Sequence, residues 1–289
     1  TRYGKHPYCQ DRTVGVYSFT KSVHAFTVVA ALEQRFPGFK KTAIQTLVPE
    51  CSDKRWQGVT VEHALDMATG NYQSAEFEVD EHSKAMEQGY FIKSTRADRA
   101  EFICNGWSHK AKPGSYSVYH TTDSELVGYA AAQFVKLKLG DNKEAFDDIL
   151  VPIYNAIGLS EYVKGVQRNS DTLDAWAGYG LSMTLNDVVL FSQYLRDEAL
   201  TDNLLDKTMV KEVLSGRPQG LSANVANFNY DNGFWRYHSG KATAMKSCSS
   251  DTQVPVMSGF GGHTAIILPE VIITQLTDGG GLGFSRTIT

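Results

Sequence analysis

From Phe19 to Phe36 the chain is apolar almost all round, with Val23, Ala25, Phe26, Val28, Val29, Ala30 and Leu32 spread over every face of a helical wheel. A surface helix carries an apolar stripe, so a segment of this kind must be buried on all sides and needs further layers wrapped around it. Pro37-Gly38 stops it, because proline does not continue a helix and glycine takes the turn that follows. With 289 residues the chain is long enough to supply those layers.

The rest of the sequence divides into a helical middle and a strand-rich end. Thr60 ahead of Glu62, His63, Ala64 and Leu65 predicts a short capped helix over residues 59–67, ending near Gly70. Residues 71–112 read as mixed helices and loops, and Pro113-Gly114 as a turn. Helices follow over 123–139, 149–159, 185–195 (after Gly178-Tyr179-Gly180) and 204–214. The last quarter carries short β-rich runs over 230–237, 254–259, 263–268 and 271–276, separated by Gly, Pro or Asp. Links this short favour an antiparallel sheet. The expected architecture is α+β (mixed α/β), one domain over 1–289, with a helical lobe at about 40–200 packed on a sheet drawn mainly from 228–280. Such a sheet is thin for the length, so partner strands are expected before Thr1 or after Thr289.

Composition narrows the function classes. The chain is 42% hydrophobic and 21% charged, with a formal net charge of −4 and no basic stripe, so nothing favours nucleic acid or an anionic membrane as partner. Its longest apolar runs, 27–32 and 265–268, are too short to span a bilayer. Thr1-Arg2-Tyr3-Gly4 is polar and reads as the start of a mature or trimmed chain. Cys9, Cys51, Cys104 and Cys248 form no Cys-x-x-Cys and no zinc-type pairing with His; two disulfides and four buried thiols both fit. His63, His109, His120, His238 and His263 show no metal-ligand spacing, and Gly279-Gly280-Gly281 lacks the Lys-Ser/Thr of a phosphate loop. No metal or cofactor is expected. Asp80-Glu81-His82 reads as a solvated loop. The compartment stays open, with the periplasm or secretion placed ahead of the cytoplasm.

Chemistry concentrates in Val16-Tyr17-Ser18-Phe19-Thr20-Lys21-Ser22, at the entrance to the buried helix. Residues three apart on a helix share a face, so the Lys21 amine can reach the Ser18 hydroxyl. The first turn places Ser18 at the positive end of the helix dipole, where a developing alkoxide is favoured and free N–H groups point outward. Burial against apolar walls depresses a lysine pKa, which suits Lys21 to act as general base. A Ser-x-x-Lys alone is weak: chance supplies it in roughly every other chain of this size. A capping serine and a snorkelling lysine give the same string.

What distinguishes this Ser-x-x-Lys is its company. Ser18-Phe19-Thr20-Lys21, the segment from Val59 to Gly70, Pro113-Gly114 with Tyr119-His120-Thr121 and Leu126-Val127-Gly128, residues 149–159 and 178–194, Tyr230-Asp231-Asn232-Gly233-Phe234-Trp235, and Gly259-Phe260-Gly261-Gly262-His263 through Pro269-Glu270 resemble, in order, the motifs of the serine β-lactamase and penicillin-binding-protein superfamily. The match is to the branch holding class C β-lactamases, D-alanyl-D-alanine carboxypeptidases, related esterases and 6-aminohexanoate-dimer hydrolases. The resemblance implies a β-lactamase-like fold and an acyl-enzyme formed at Ser18 on a small-molecule ester or amide. Lys21 and Tyr119 would share proton transfer, with Tyr119 carried toward phenolate by the nearby ammonium and Tyr116 as the alternative in register. It also implies a helix and two strands before the nucleophile and a helix after the last strand, so the chain reads as truncated at both ends.

Two motifs depart from the pattern. Thr121 stands where an Asn normally binds the substrate amide, and one hydroxyl cannot donate and accept as a carboxamide does. Met257-Ser258-Gly259 stands where Lys-Thr-Gly or His-Thr-Gly recognises a carboxylate. Ser258 can still hydrogen-bond substrate, and the N–H groups of Ser18 and Phe260, beyond Gly259, are the expected oxyanion donors. Met257 offers no cation, and His263 reads as structural. An esterase or amide hydrolase is therefore favoured over a β-lactamase or carboxypeptidase, and a catalytically silent ligand-binding homologue is the rival from another class. Trp176 and Trp235 are expected either to line the pocket or to pack in the core.

Overall fold

The computed structural model describes residue 8 and residues 11–217, 221–238 and 253–277, so Cys9, Cys248 and Gly279-Gly280-Gly281 lie outside the described residues. The apolar segment is a helix that starts at Phe19, widens into π-helical turns over Lys21–Phe26 and continues as α1 (Thr27–Arg35). Every residue from Phe19 to Leu32 is buried, as the pattern requires. The widened turns have visible partners. Tyr154 Oη donates to the Val23 carbonyl at 2.8 Å, and Ser22 Oγ donates to that of Gly233 at 2.6 Å.

The helical lobe around it comprises α2 (Ile44–Leu47), α3 (Val61–Leu65), α4 (Lys84–Met86), α5 (Arg96–Asn105), α6 (Thr121–Leu139) and α7 (Val151–Ile157). Thr60 caps α3 as its sequence announces, and His63 completes a capping box with it. A disulfide joins Cys51 to Cys104 at a sequence separation of 53, tying the start of the lobe to α5. Beyond the lobe come α8 (Leu185–Gln193), capped by Thr184 and Asp187, and α9 (Lys207–Ser215). A two-stranded ribbon, β1 (Val14–Gly15) against β2 (Ser182–Met183), sets the approach of the chain to Ser18.

The main sheet is an antiparallel meander in chain order: β3 (Ser222–Val225), β4 (Phe228–Asp231), β5 (Phe234–His238), β6 (Gln253–Gly259), β7 (His263–Ile267) and β8 (Ile272–Gln275). It is fuller than the sequence suggested. Residues 230–237, read as one strand, are two strands of a hairpin turning at Asn232-Gly233, with φ of 50° and 77°. Asn-Gly at positive φ is the turn whose twist matches a tight hairpin. β3 adds a further strand ahead of the expected range. Successive residues serve opposite faces: Phe234, Met257, Ala265 and Ile267 join the core around α1, while Tyr230, Trp235, Tyr237 and Val256 pack in a second cluster with Tyr119 and Met67. No helix among the described residues is long and apolar enough to cross a membrane.

Candidate active site

Four segments converge beside Ser18. The helix brings Ser18 and Lys21, the start of α6 brings Tyr119 and Thr121, the β6–β7 turn brings Ser258, Gly259 and Phe260, and the loop before α4 brings Phe77, Glu78 and Glu81. All but Lys21 line one cavity of about 590 Å³, and Lys21 lies directly beneath it, bonded to Ser18. Two glycines allow the close approach. A Cβ on Gly259 would meet the Val16 carbonyl oxygen at 2.4 Å, and one on Gly233 would meet that of Lys21 at 2.7 Å. Tyr17, immediately before Ser18, holds a strained φ of 47° and packs edge-on against Phe260 at 5.6 Å.

Lys21 is buried and uses all three ammonium donors: Ser18 Oγ at 2.9 Å, Thr121 Oγ1 at 2.8 Å and the Gly178 carbonyl at 2.8 Å. Every acceptor is neutral. Its two nearest carboxylates act at one remove. Glu81 accepts a short hydrogen bond from the Thr121 hydroxyl and another from the Thr121 N–H at 2.8 Å. Glu125 accepts the N–H groups of Ala177 and Gly178 at 3.0 and 3.1 Å, anchoring Gly178, whose carbonyl in the next peptide accepts from Lys21. Burial lowers the Lys21 pKa from 10.5 to about 8, with the fields of Glu81 and Glu125 only partly opposing it. An amine so placed exchanges its proton near neutral pH.

Tyr119 differs from expectation. Burial pushes its phenol well above the ordinary tyrosine range, the Glu81 charge adds to this, and a hydrogen bond with Ser18 opposes it only in part. The resting site therefore holds a neutral phenol beside Ser18 rather than a phenolate. Tyr116 lies elsewhere, its hydroxyl in a short contact with that of Tyr72. Thr121 lines the cavity, donates its hydroxyl hydrogen bond to Glu81 and accepts one from Lys21, so it links the lysine to that carboxylate.

Asp80-Glu81-His82 is not a solvated loop throughout, because Asp80 and Glu81 are buried. Asp80 accepts from Gln73 and Ser74 N–H groups and pairs with His120 at 3.0 Å, while the His82 side chain is exposed. Sequence reading missed Glu81 because its partner lies 40 residues on, which no local pattern reveals. Of the two tryptophans, Trp235 lines the cavity and stacks on Tyr119 at 5.3 Å, whereas Trp176 lies under the Arg99 guanidinium at 3.9 Å. Met257 is wholly buried in the core. His263 stacks on Tyr17 at 5.8 Å and accepts the Thr277 N–H at 3.2 Å. No cluster of three or more His, Cys, Asp or Glu that could hold a metal occurs among the described residues.

No family model matches the sequence, and no curated protein matches it significantly. Solved structures do match it in shape. EstCE1, a hydrolase with promiscuous acyltransferase activity, superposes with a TM-score of 0.70 at 14% identity, covering 99% of this chain and 85% of that one. The penicillin-binding protein from Bacillus halodurans gives 0.66 at 13% identity, over 100% and 87%. A D-stereospecific amidohydrolase from Streptomyces sp. gives 0.62 at 14%, over 96% and 86%. The chain has the β-lactamase and penicillin-binding-protein fold.

Proposed function

We propose that this protein is a serine hydrolase that forms an acyl-enzyme at Ser18 on an ester or amide lacking a free carboxylate. The observation that carries the reading is the 2.9 Å contact between Ser18 Oγ and a buried Lys21 amine whose pKa lies near 8. In its neutral form Lys21 takes the Ser18 proton as the oxygen attacks the carbonyl carbon. The N–H groups of Ser18 and Phe260 receive the oxyanion. Tyr119, a neutral phenol hydrogen-bonded to Ser18, is placed to protonate the leaving group and to be reprotonated through Lys21. Water then repeats the sequence on the acyl-enzyme, with Lys21 again the base.

The cavity wall argues about substrate as well. Among the described residues its lining includes no Lys or Arg, and the ionisable ones besides Tyr are Glu78, Glu81 and His82. A β-lactam or D-alanyl carboxylate therefore lacks a charge-assisted bond worth about 1.5–3 kcal/mol and faces two carboxylates instead. The relatives named as a hydrolase and an amidohydrolase support ester or amide chemistry on this fold. The disulfide favours an oxidising compartment. The test is turnover of p-nitrophenyl butyrate beside nitrocefin. The ester is expected to be hydrolysed, Ser18→Ala to abolish that hydrolysis, and nitrocefin to be turned over poorly. Efficient nitrocefin turnover would reverse the substrate assignment, and no turnover of any ester, with no labelling by a fluorophosphonate, would favour a silent ligand-binding homologue.

A further inference from the structure

The part of the cavity beyond Ser18 is walled by rings. Trp235 stacks on Tyr119 at 5.3 Å, Phe77 stands 5.6 Å from Trp235 at 79°, and Phe228 stands 6.1 Å from Trp235 at 86°. All four line the cavity. Rings set at right angles around a concave space present π-faces and edges to whatever enters, and π-faces attract cations.

The charges on that wall point the same way. Glu81 is committed to Thr121 and offset through it by Lys21. Among the described residues the one ion-pair partner of Glu78 is His82, at 3.8 Å, with both side chains partly exposed, and the Glu81 charge also acts on it. So, among the described residues, the wall carries a carboxylate held by no closer counter-charge than an exposed histidine. Its backbone is strained as well: Glu78 sits at φ 60°, between the half-exposed Phe77 and Val79. An L residue is held there only when its surroundings insist, and such positions cluster at ligand-contacting sites. Here the turn puts Phe77 and Glu78 side by side on the cavity wall. Partial burial raises the Glu78 pKa, His82 opposes this and the Glu81 charge adds to it.

We propose that the cleft recognises a substrate bearing an ammonium group on an apolar body, enclosed by Phe77, Tyr119, Phe228 and Trp235 with Glu78 as its counter-charge. As a substrate class, an amino- or trimethylammonium-bearing ester or amide, this rests on the hydrolase reading above. As a binding site it does not.

The test therefore has a binding arm and a turnover arm. Titration of the whole chain with phenyltrimethylammonium, benzyl alcohol and phenylacetate, followed by tryptophan fluorescence, is expected to rank the cation first and the anion last, with about tenfold between these two. Glu78→Gln is expected to remove most of that preference and Glu78→Lys to invert it. Equal affinities, a preference for phenylacetate, or an unchanged ranking in Glu78→Lys would overturn the proposal. In the turnover arm, butyrylthiocholine is expected to exceed its neutral 3,3-dimethylbutyl thioester isostere in kcat/KM by about tenfold. Hydrolysis of both thioesters at equal kcat/KM would overturn the ammonium site while leaving the hydrolase standing. Ranked binding with neither thioester turned over would do the reverse.

Discussion

Two buried cations, Lys21 and Arg236, show what separates a poised group from a fixed one. Arg236, in β5, is 0% exposed and is clasped by Asp231 through two bonds of 3.0 and 2.9 Å, with the Val213 carbonyl at 2.9 Å and the Glu212 carbonyl also accepting from it. Lys21 is as deeply buried, yet touches no carboxylate; its partners are two hydroxyls and a peptide oxygen. Coulomb attraction in a low-dielectric interior is strong, so direct pairing fixes a charge, whereas compensation through an intervening group leaves it easily lost. The difference is an intervening residue: Glu81 stands behind Thr121 and Glu125 behind Gly178.

The largest effects should divide the two. Lys21→Met is expected to slow acylation by about 10²–10⁴. It should change stability by less than about 1 kcal/mol, because relief of a buried charge offsets the stranded acceptors. Arg236→Met should do the opposite, costing about 3–5 kcal/mol in urea unfolding by leaving Asp231 buried and unpaired. An Arg236 variant of wild-type stability would end the comparison.

Tyr119→Phe is expected to cut acylation by about 10²-fold without shifting the pH profile, since a phenol that stays protonated does not set it. A shift of the lower limb in this variant would restore the phenolate. Replacing both Cys51 and Cys104 by Ala, remote from the cleft, should cost about 2–4 kcal/mol in thermal or urea melts and leave the profile alone.

The smallest effect is the most specific. The proposed mechanism requires neutral Lys21, so activity is expected to rise with pH through its pKa near 8 and to level off above it. Glu81 favours the charged amine. Glu81→Gln should therefore move the rising limb to lower pH, by about one unit or less. An unmoved or upward-moved limb would remove Glu81 from the charge balance of the site.

Much of this was legible in the sequence because it is local. All-round hydrophobicity gave the central helix, Thr60 its cap, and three-residue spacing the contact between Ser18 and Lys21. One local signal competes with another: Asn232-Gly233 marks a tight hairpin, but the aromatic and β-rich residues on both sides of it run together as one strand, so β4 and β5 merge in the sequence pattern. Other parts were out of reach. The bond from Glu81 to Thr121 spans 40 residues, and the burial of Tyr119 that keeps it a phenol depends on packing against Trp235 and Tyr230 from the sheet. Proximity to an ammonium suggested phenolate; the energy of burying that charge decides otherwise.

The most direct test follows the rate of fluorophosphonate labelling from about pH 5 to about pH 10, with the modified residue located by mass spectrometry. The expected result is an adduct on Ser18, a rate rising through about pH 8, and a slow, flat profile in Lys21→Met. An adduct on another residue, or a Lys21→Met protein that labels at the wild-type rate with the wild-type pH dependence, would contradict the poised lysine.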